Sequence, residues 1–414
     1  MVNNSEETND MPIETVKRIS LLTWLALAFA ISPALAEKKH GPGVTDAEIT
    51  IGQTMPNSGP LSAFSTMGKA QLAYFKMINE QGGVNGRKII LLSLDDGYSP
   101  PKTVEQTRRL VESENVLLMF SSFGTPTALS VIKYLNAKKV PQLFIAATGM
   151  KWGDPRVYPW TMAFFPNQKT GTAGFVQYLL TNKPNAKIAL LHPNDDFGKD
   201  YAKALKELLG ANASKLIVAE VSYETSDPTA DSQVVTLKGS GADVFFNFST
   251  PRFAAQAIRK AHDIGWKPLQ FIPYTSTSVT AVLQPAGFEK SIGIVSAAYL
   301  KDPTDPQWKN DRASNEWIAW MKKYYPDGNL AEIYNVYGYT SAQMLVHLLK
   351  KCGDDLTREN VMREASHLKD VSLPMLLPGI TINTSADDFD PLRQMRLMQF
   401  NGKQWVLFGE VIGR

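Results

Sequence analysis

Glu48-Ile49-Thr50-Ile51-Gly52-Gln53 alternates polar and apolar residues, the period of a half-buried strand. Residues 69–80 then carry Leu72, Ala73, Phe75, Met77 and Ile78 at helical spacing. Gly82-Gly83-Val84-Asn85-Gly86 punctuates the chain as a turn, and residues 89–94 resume as an apolar strand. Strand, helix, turn and strand in this order open a series of βα units.

The series continues outward. Residues 102–114 and 127–137 read as helices, and residues 116–120 and 142–147 as buried strands. Short, continuously apolar strands between helices suit a parallel sheet covered on both faces. The rhythm then restarts. A helix ends over residues 175–180, and residues 187–191, 216–221, 243–248, 269–272 and 292–298 read as strands. Helices fall at residues 199–209, 231–238 and 253–262. Two such series predict an α/β protein with two lobes, each built on a mostly parallel sheet. The tail differs: residues 312–325, 335–351 and 358–366 are helical, and residues 396–400 and 404–408 flank Asn401-Gly402, a hairpin signal.

The chain has 414 residues, 44% hydrophobic and 20% charged, with a formal charge of +3. At roughly 150 residues per domain this predicts two or three domains of ordinary globular make-up. So small and evenly spread a charge gives no nucleic-acid footprint. Residues 1–36 read as a cleavable export signal: Lys17 and Arg18, an apolar run over residues 19–31, and Ala34-Leu35-Ala36 at the cleavage position. Met11 is the alternative start. Cleavage removes Lys17 and Arg18 with Glu6, Glu7, Asp10 and Glu14, raising the charge from +3 to +5. The expected product is a periplasmic monomer without membrane insertion. Cys352 is the single cysteine, so no intramolecular disulfide forms. A large core does not need one.

Catalytic signatures are missing. No GxxxxGK[ST], strand-following GxGxxG, GxSxG or HExxH occurs, and no cysteine pair has metal spacing. His192 with Asp195 and Asp196 is the one cluster to weigh as a metal or acid/base site. Asp residues capping a helix start account for it more simply. Asp95-Asp96 reads the same way, and Cys352 reads as a structural thiol at a helix end. No enzyme activity, cofactor or metal is expected, and a secreted hydrolase fails for want of a motif.

Ligands of open parallel sheets bind beyond the carboxyl ends of the strands. The loops at residues 54–68, 121–127, 148–155, 192–198, 249–252 and 274–278 are rich in hydroxyls and rings and poor in charge. That composition suits a small polar ligand held by neutral donors.

Ile49-Thr50-Ile51-Gly52, Pro56-Asn57-Ser58-Gly59-Pro60-Leu61, and Ile78-Asn79-Glu80-Gln81-Gly82-Gly83-Val84-Asn85-Gly86-Arg87-Lys88 carry a resemblance. So do Asp95-Asp96, Pro101-Lys102, Ala146-Ala147-Thr148 and Asp196-Phe197-Gly198. In this order and spacing the chain resembles the type I periplasmic solute-binding proteins of ABC importers, the leucine/isoleucine/valine-binding group. The resemblance covers essentially the whole chain after the signal. It implies two Rossmann-like lobes joined by a three-crossover hinge, lobe one at 45–166 and 299–376, lobe two at 167–298 and 377–414. It also implies a small-molecule carboxylate ligand in the inter-lobe cleft and a membrane permease as partner.

The resemblance further implies a set of ligand-binding residues: Phe64, Ser122, Phe123, Thr125, Ala147, Thr148, Phe197, Thr250, Tyr274 and Thr275. Thr125 and Thr148, with backbone atoms of Ala146 and Ala147, would hold the carboxylate, and Phe64 would cover the ligand. The acid with which the family grips an α-ammonium would fall near Thr275, and its supporting tyrosines at Phe197 and near Ser249-Thr250; no acid stands there. Burying an unpaired ammonium costs several kcal/mol. The expected cargo is therefore an aromatic or hydrophobic acid, with Phe165 also within reach. A branched-chain amino acid and a ligand-sensing role on the same fold are the alternatives. Arg252 reads as a helix-surface residue, and Trp152 and Lys151 as rim or packing.

Overall fold

The computed structural model describes residues 1–3 and 39–413. The chain divides into Met1–Lys38 and one compact unit, Lys39–Arg414. The export-signal reading lies outside the described residues, apart from the exposed coil of residues 1–3.

Two sheets organise the compact unit. The first holds β1 (Glu48–Met55), β2 (Lys88–Asp95), β3 (Met119–Phe120), β4 (Gln142–Ile145) and β5 (Thr161–Ala163), all parallel, in the order β2-β1-β3-β4-β5. The second holds β6 (Ile188–Pro193), β7 (Ile217–Tyr223), β8 (Val244–Asn247), β9 (Leu269–Phe271) and β10 (Val295–Ala298) in the order β7-β6-β8-β9-β10. Both lobes thus repeat one winding, in which the first strand lies between the second and third. Such a reversal opens a crevice at the carboxyl ends of the first and third strands.

Burial follows position in the sheet. Central β6 and β8 are buried throughout, whereas edge strand β7 alternates half-buried and exposed residues up to the buried Tyr223. Two antiparallel strands, β11 (Gln394–Phe400) and β12 (Trp405–Gly413), extend the second sheet beyond β10. Their connection runs through Asn401 and Gly402, as the sequence predicts. Asn401 acts through its side chain, whose Oδ1 accepts the N–H groups of Lys403 and Gln404.

The helices of the first lobe are α1 (Ser65–Glu80), α2 (Pro100–Arg108) and α3 (Thr125–Ala137). Those of the second are α4 (Gln168–Asn182), α5 (Asp196–Leu209), α6 (Asp231–Gly239) and α7 (Pro251–Asp263). The tail helices α8 (Arg312–Tyr324), α9 (Ile333–Cys352) and α10 (Arg358–Ala365) return to the first lobe. There Gln71 of α1 donates to Ser341 of α9 at 2.9 Å. The chain therefore passes between the lobes three times, after β5, after β10 and before β11. The second and third passages pair with each other: the Lys301 N–H meets the Met375 carbonyl at 2.8 Å and the Leu377 N–H meets the Tyr299 carbonyl at 2.9 Å.

Two expected strands shorten for visible reasons. Residues 116–120 reduce to β3, because the Arg358 guanidinium takes the carbonyls of Val116 and Leu117 at 2.7 and 2.8 Å. Residues 292–298 reduce to β10, because Gly293 turns the chain at φ +87° and Ile292 faces outward. No helix among the described residues is long and apolar enough to cross a membrane.

Candidate functional site

The loops beyond β1, β3 and β4 form one wall of the cleft. Phe64 closes the loop after β1, and its ring lies 4.3 Å from those of Phe123 and of Tyr334 on α9. The loop after β3 carries Ser121 at φ +49° and Gly124 at φ +100°. A Cβ on Gly124 would stand 2.5 Å from the Tyr98 ring, so both the backbone angle and the close approach demand glycine there. Thr125 starts α3 just beyond. Ala146, Ala147 and Thr148 follow β4; the Gln168 N–H takes the Thr148 carbonyl at 2.9 Å, tying this loop to the first turn of α4.

The opposite wall comes from the second sheet. Phe197 sits in the first turn of α5 and Thr250 at the N-cap of α7, its N–H donating to the Tyr223 hydroxyl at 3.0 Å. Thr275 lies in the short turn Tyr274–Ser276. Two tyrosines of α9 hold this turn from the first lobe: Tyr334 donates to the Thr275 carbonyl at 2.9 Å and Tyr337 to the Tyr274 carbonyl at 3.1 Å.

Between the walls lies a cavity of about 30 Å³. The first wall lines it with Leu61, Phe64, Tyr98, Phe123, Gly124, Thr125, Ala146, Ala147, Thr148 and Phe165, and the second with Phe197, Thr250, Pro251 and Thr275. None of these lining residues is charged. The hydroxyls of Thr125, Thr148 and Thr275 are buried without a hydrogen-bond partner. Tyr201 of α5 brings its hydroxyl beside Thr148, outside good bonding geometry.

The structure gathers most of the expected residues on this cavity: Phe64, Phe123, Thr125, Ala147, Thr148, Phe197, Thr250 and Thr275. Ser122 and Tyr274 lie off it. The Ser122 hydroxyl accepts the Thr54 N–H at 3.3 Å, because the positive φ of Ser121 turns Phe123 rather than Ser122 into the cleft. The Tyr274 hydroxyl donates to the Pro166 carbonyl at 2.6 Å, so this ring packs at the first passage between the lobes. Phe165, expected within reach, lines the cavity. Leu61, Tyr98, Gly124 and Pro251 were not anticipated. Nothing in Gly97-Tyr98-Ser99-Pro100 signals that the Tyr98 ring turns inward.

Two more polar contacts join the walls at the start of α5. The Tyr98 hydroxyl donates to Asp195 Oδ2 at 3.3 Å, and Lys151 Nζ meets Asp196 Oδ1 at 3.5 Å. Asp195 also caps α5, accepting the Gly198 N–H at 3.0 Å. Burial raises its pKa against that hydrogen bond. Tyr98 itself sits at φ +62°. Asp96 holds it there, accepting the Tyr98 N–H and the Thr103 hydroxyl, both at 2.9 Å.

The other flagged groups have structural partners. Asp95 takes the Ser58 hydroxyl at 2.7 Å and Lys102 at 2.9 Å. His192 faces the Pro193 carbonyl at 2.8 Å and Glu220 at 3.4 Å. Arg252 lies over the Phe253 ring on the outer face of α7. Trp152 is wholly buried in the core beneath Ala147. Burial pushes the Cys352 thiol up to about 12. Among the described residues no group of His, Cys, Asp or Glu could hold a metal ion.

Comparisons with known proteins agree with this architecture. Residues 48–404 match the family model described as "Periplasmic binding protein". "Leu/Ile/Val-binding protein homolog 7" of Brucella abortus (strain 2308) is 24% identical over 339 residues, 78% of this chain and 82% of the relative. An "Amino acid binding protein" of Pseudomonas aeruginosa is 23% identical over 79% of this chain and 84% of its own. Among solved structures, a fatty acid ABC transporter substrate-binding protein from Thermomonospora curvata superposes with a TM-score of 0.76 at 22% identity, covering 91% of this chain and 95% of that one. A branched chain amino acid ABC transporter protein from Thermus thermophilus with bound valine reaches 0.80 at 16% identity, covering 90% and 98%. These relatives are solute-binding proteins rather than enzymes. With a doubly repeated winding, three passages between lobes and a match spanning residues 48–404, the chain belongs to the periplasmic binding protein family.

Proposed function

We propose that this protein is the periplasmic solute-binding subunit of an ABC importer, carrying a small aromatic or hydrophobic carboxylate to a membrane permease. It acts as a monomer after export. Lobe one spans 45–166 and 299–376, lobe two 167–298 and 377–414, and cargo sits between them. The observation that carries the reading is the cavity wall: unpartnered hydroxyls of Thr125, Thr148 and Thr275 set among Phe64, Phe123, Phe165 and Phe197, with no charge. Neutral donors at strand and helix ends stabilise an anion, and the rings take an apolar body. The names of the Thermomonospora and Thermus proteins support import as the context. A cavity of about 30 Å³ has room for roughly one water. A six-carbon acid enters only when the walls part, which is how a hinged binder traps its ligand.

A branched-chain amino acid is the second reading. The valine bound to the Thermus protein and the nearness of Asp195 to Tyr98 favour it. Thermal-shift screening separates the two. A ligand at 100 times its Kd adds about 2.7 kcal/mol of stability. Benzoate, cinnamate and medium-chain acids are expected to raise the Tm, and leucine and valine are not. Protection by leucine or valine alone establishes the second reading instead.

A further inference from the structure

The two walls do not carry equivalent donors. On the first, Thr125 and Thr148 stand at the ends of β3 and β4, with their hydroxyls free. On the second, Thr275 is fixed differently. Its carbonyl is taken by Tyr334 from the first lobe, its turn is held by Tyr337, and its own Oγ1, in a residue 7% exposed, is left without a partner on the cavity. Tyr201, wholly buried, adds a further hydroxyl beside Thr148. Its ring is stacked on Phe248 at 4.6 Å and packed edge-on to Phe197 at 5.1 Å, so that hydroxyl cannot swing away. Thr148 and Thr275 line one and the same cavity from its two walls, so a ligand seated there lies between them. If the first wall holds the carboxylate, the second wall meets the adjacent carbon.

What that carbon bears is limited by charge. The cavity wall holds no carboxylate, and Asp195 already accepts Tyr98 and caps α5. An ammonium there loses its water without gaining a counter-charge, an exchange that hydrogen bonds to neutral hydroxyls do not make good. A bare methylene leaves the Thr275 hydroxyl buried and unpaired, also unfavourable. An uncharged oxygen satisfies both conditions, since a carbonyl accepts from the hydroxyl and a hydroxyl can donate or accept.

We infer that the cargo is a 2-oxo or 2-hydroxy acid with an apolar tail, its second oxygen read by Thr275 Oγ1 and by the hydroxyl of Thr148. This rests on the carboxylate reading above and narrows it. A site built to hydrogen-bond such an oxygen discriminates strongly against the analogue that lacks it.

The test is calorimetry of the mature protein against two matched sets. One is 4-methyl-2-oxopentanoate, 2-hydroxy-4-methylpentanoate, 4-methylpentanoate and leucine; the other is phenylpyruvate, phenyllactate, 3-phenylpropanoate and phenylalanine. In at least one set the oxo or hydroxy acid is expected to bind tenfold or more tighter than both the unsubstituted acid and the amino acid. The ratio of oxo to unsubstituted affinity is expected to fall toward one in Thr275→Val, which keeps the branched shape and removes the hydroxyl. Equal binding of the unsubstituted acid, or an unchanged ratio in Thr275→Val, overturns the inference and leaves the carboxylate reading standing. Binding of no acid in either set likewise overturns the inference alone, and tightest binding of the amino acid overturns both.

Discussion

The hydroxyl of Tyr98 reaches across the cleft to Asp195 Oδ2 at 3.3 Å, so a residue of the cavity wall in one lobe is bonded to the helix cap of the other. The loop after β2 is thereby coupled to the first turn of α5. The bond exists only while the lobes are together.

Removing that bond is expected to shorten the closed state. Tyr98→Phe keeps the ring against Phe123 and deletes the hydroxyl. A net hydrogen bond contributes about 0.5–1.5 kcal/mol, roughly three- to tenfold in a rate. Stopped-flow measurement with a bound carboxylate should show faster dissociation and a nearly unchanged association rate. An equal slowing of association would assign the hydroxyl to ligand entry instead.

Thr148→Ala probes the unpartnered hydroxyl past β4 on the first wall. Hydrogen bonds to charged groups contribute about 1.5–3 kcal/mol, so affinity for a carboxylate should fall by roughly ten- to a hundredfold. Calorimetry of the folded variant checks it. An unaltered Kd would take Thr148 out of the site.

Asp195 makes stability depend on pH. Burial raises its pKa above the value in the unfolded chain, so the folded state takes up a proton first as the pH falls. Its ionised form is penalised above that pKa, and the penalty fades below it. Asn caps a helix as well as Asp and carries no charge. The Tm of Asp195→Asn should exceed that of the wild type at pH 8, and the gap should shrink as the pH drops through the raised pKa. A gap that widens in acid would contradict this.

Cys352 should resist alkylation in the native protein. Its thiol is buried at the end of α9 and its pKa is pushed up to about 12, so little thiolate exists at pH 8. Iodoacetamide labelling followed by mass spectrometry should be slow until denaturant is added. Rapid native labelling would mean that α9 frays at its C-terminus.

The sequence carries the architecture well, because strand and helix periods are local. Buried runs such as Val244–Asn247 and the amphipathic stretch before Gln81 announce themselves over a few residues. Residues 161–163 carry no sequence signal, because three residues of this strand display no period. The cavity is legible where a residue lies directly past a strand, as with Thr148 and Thr275. It is illegible where backbone angles decide direction. The positive φ at Ser121 sends Ser122 away from the cleft, and the positive φ at Tyr98 brings an unremarked ring into it. Asp195 is recognisable as a helix cap, but its partner lies 97 residues away and no local pattern pairs them.

Because the same winding occurs twice, the chain presents its binding surface as loop ends borne by two separate sheets. Each loop contributes one to three lining residues, and Thr125, Thr148, Thr250 and Thr275 among them lie outside the hydrophobic clusters. Exchanging Thr275 for an acid would redirect recognition while leaving both sheets untouched. A scaffold arranged in this way lets new cargo preferences arise through single replacements at the mouth of a framework that need not change.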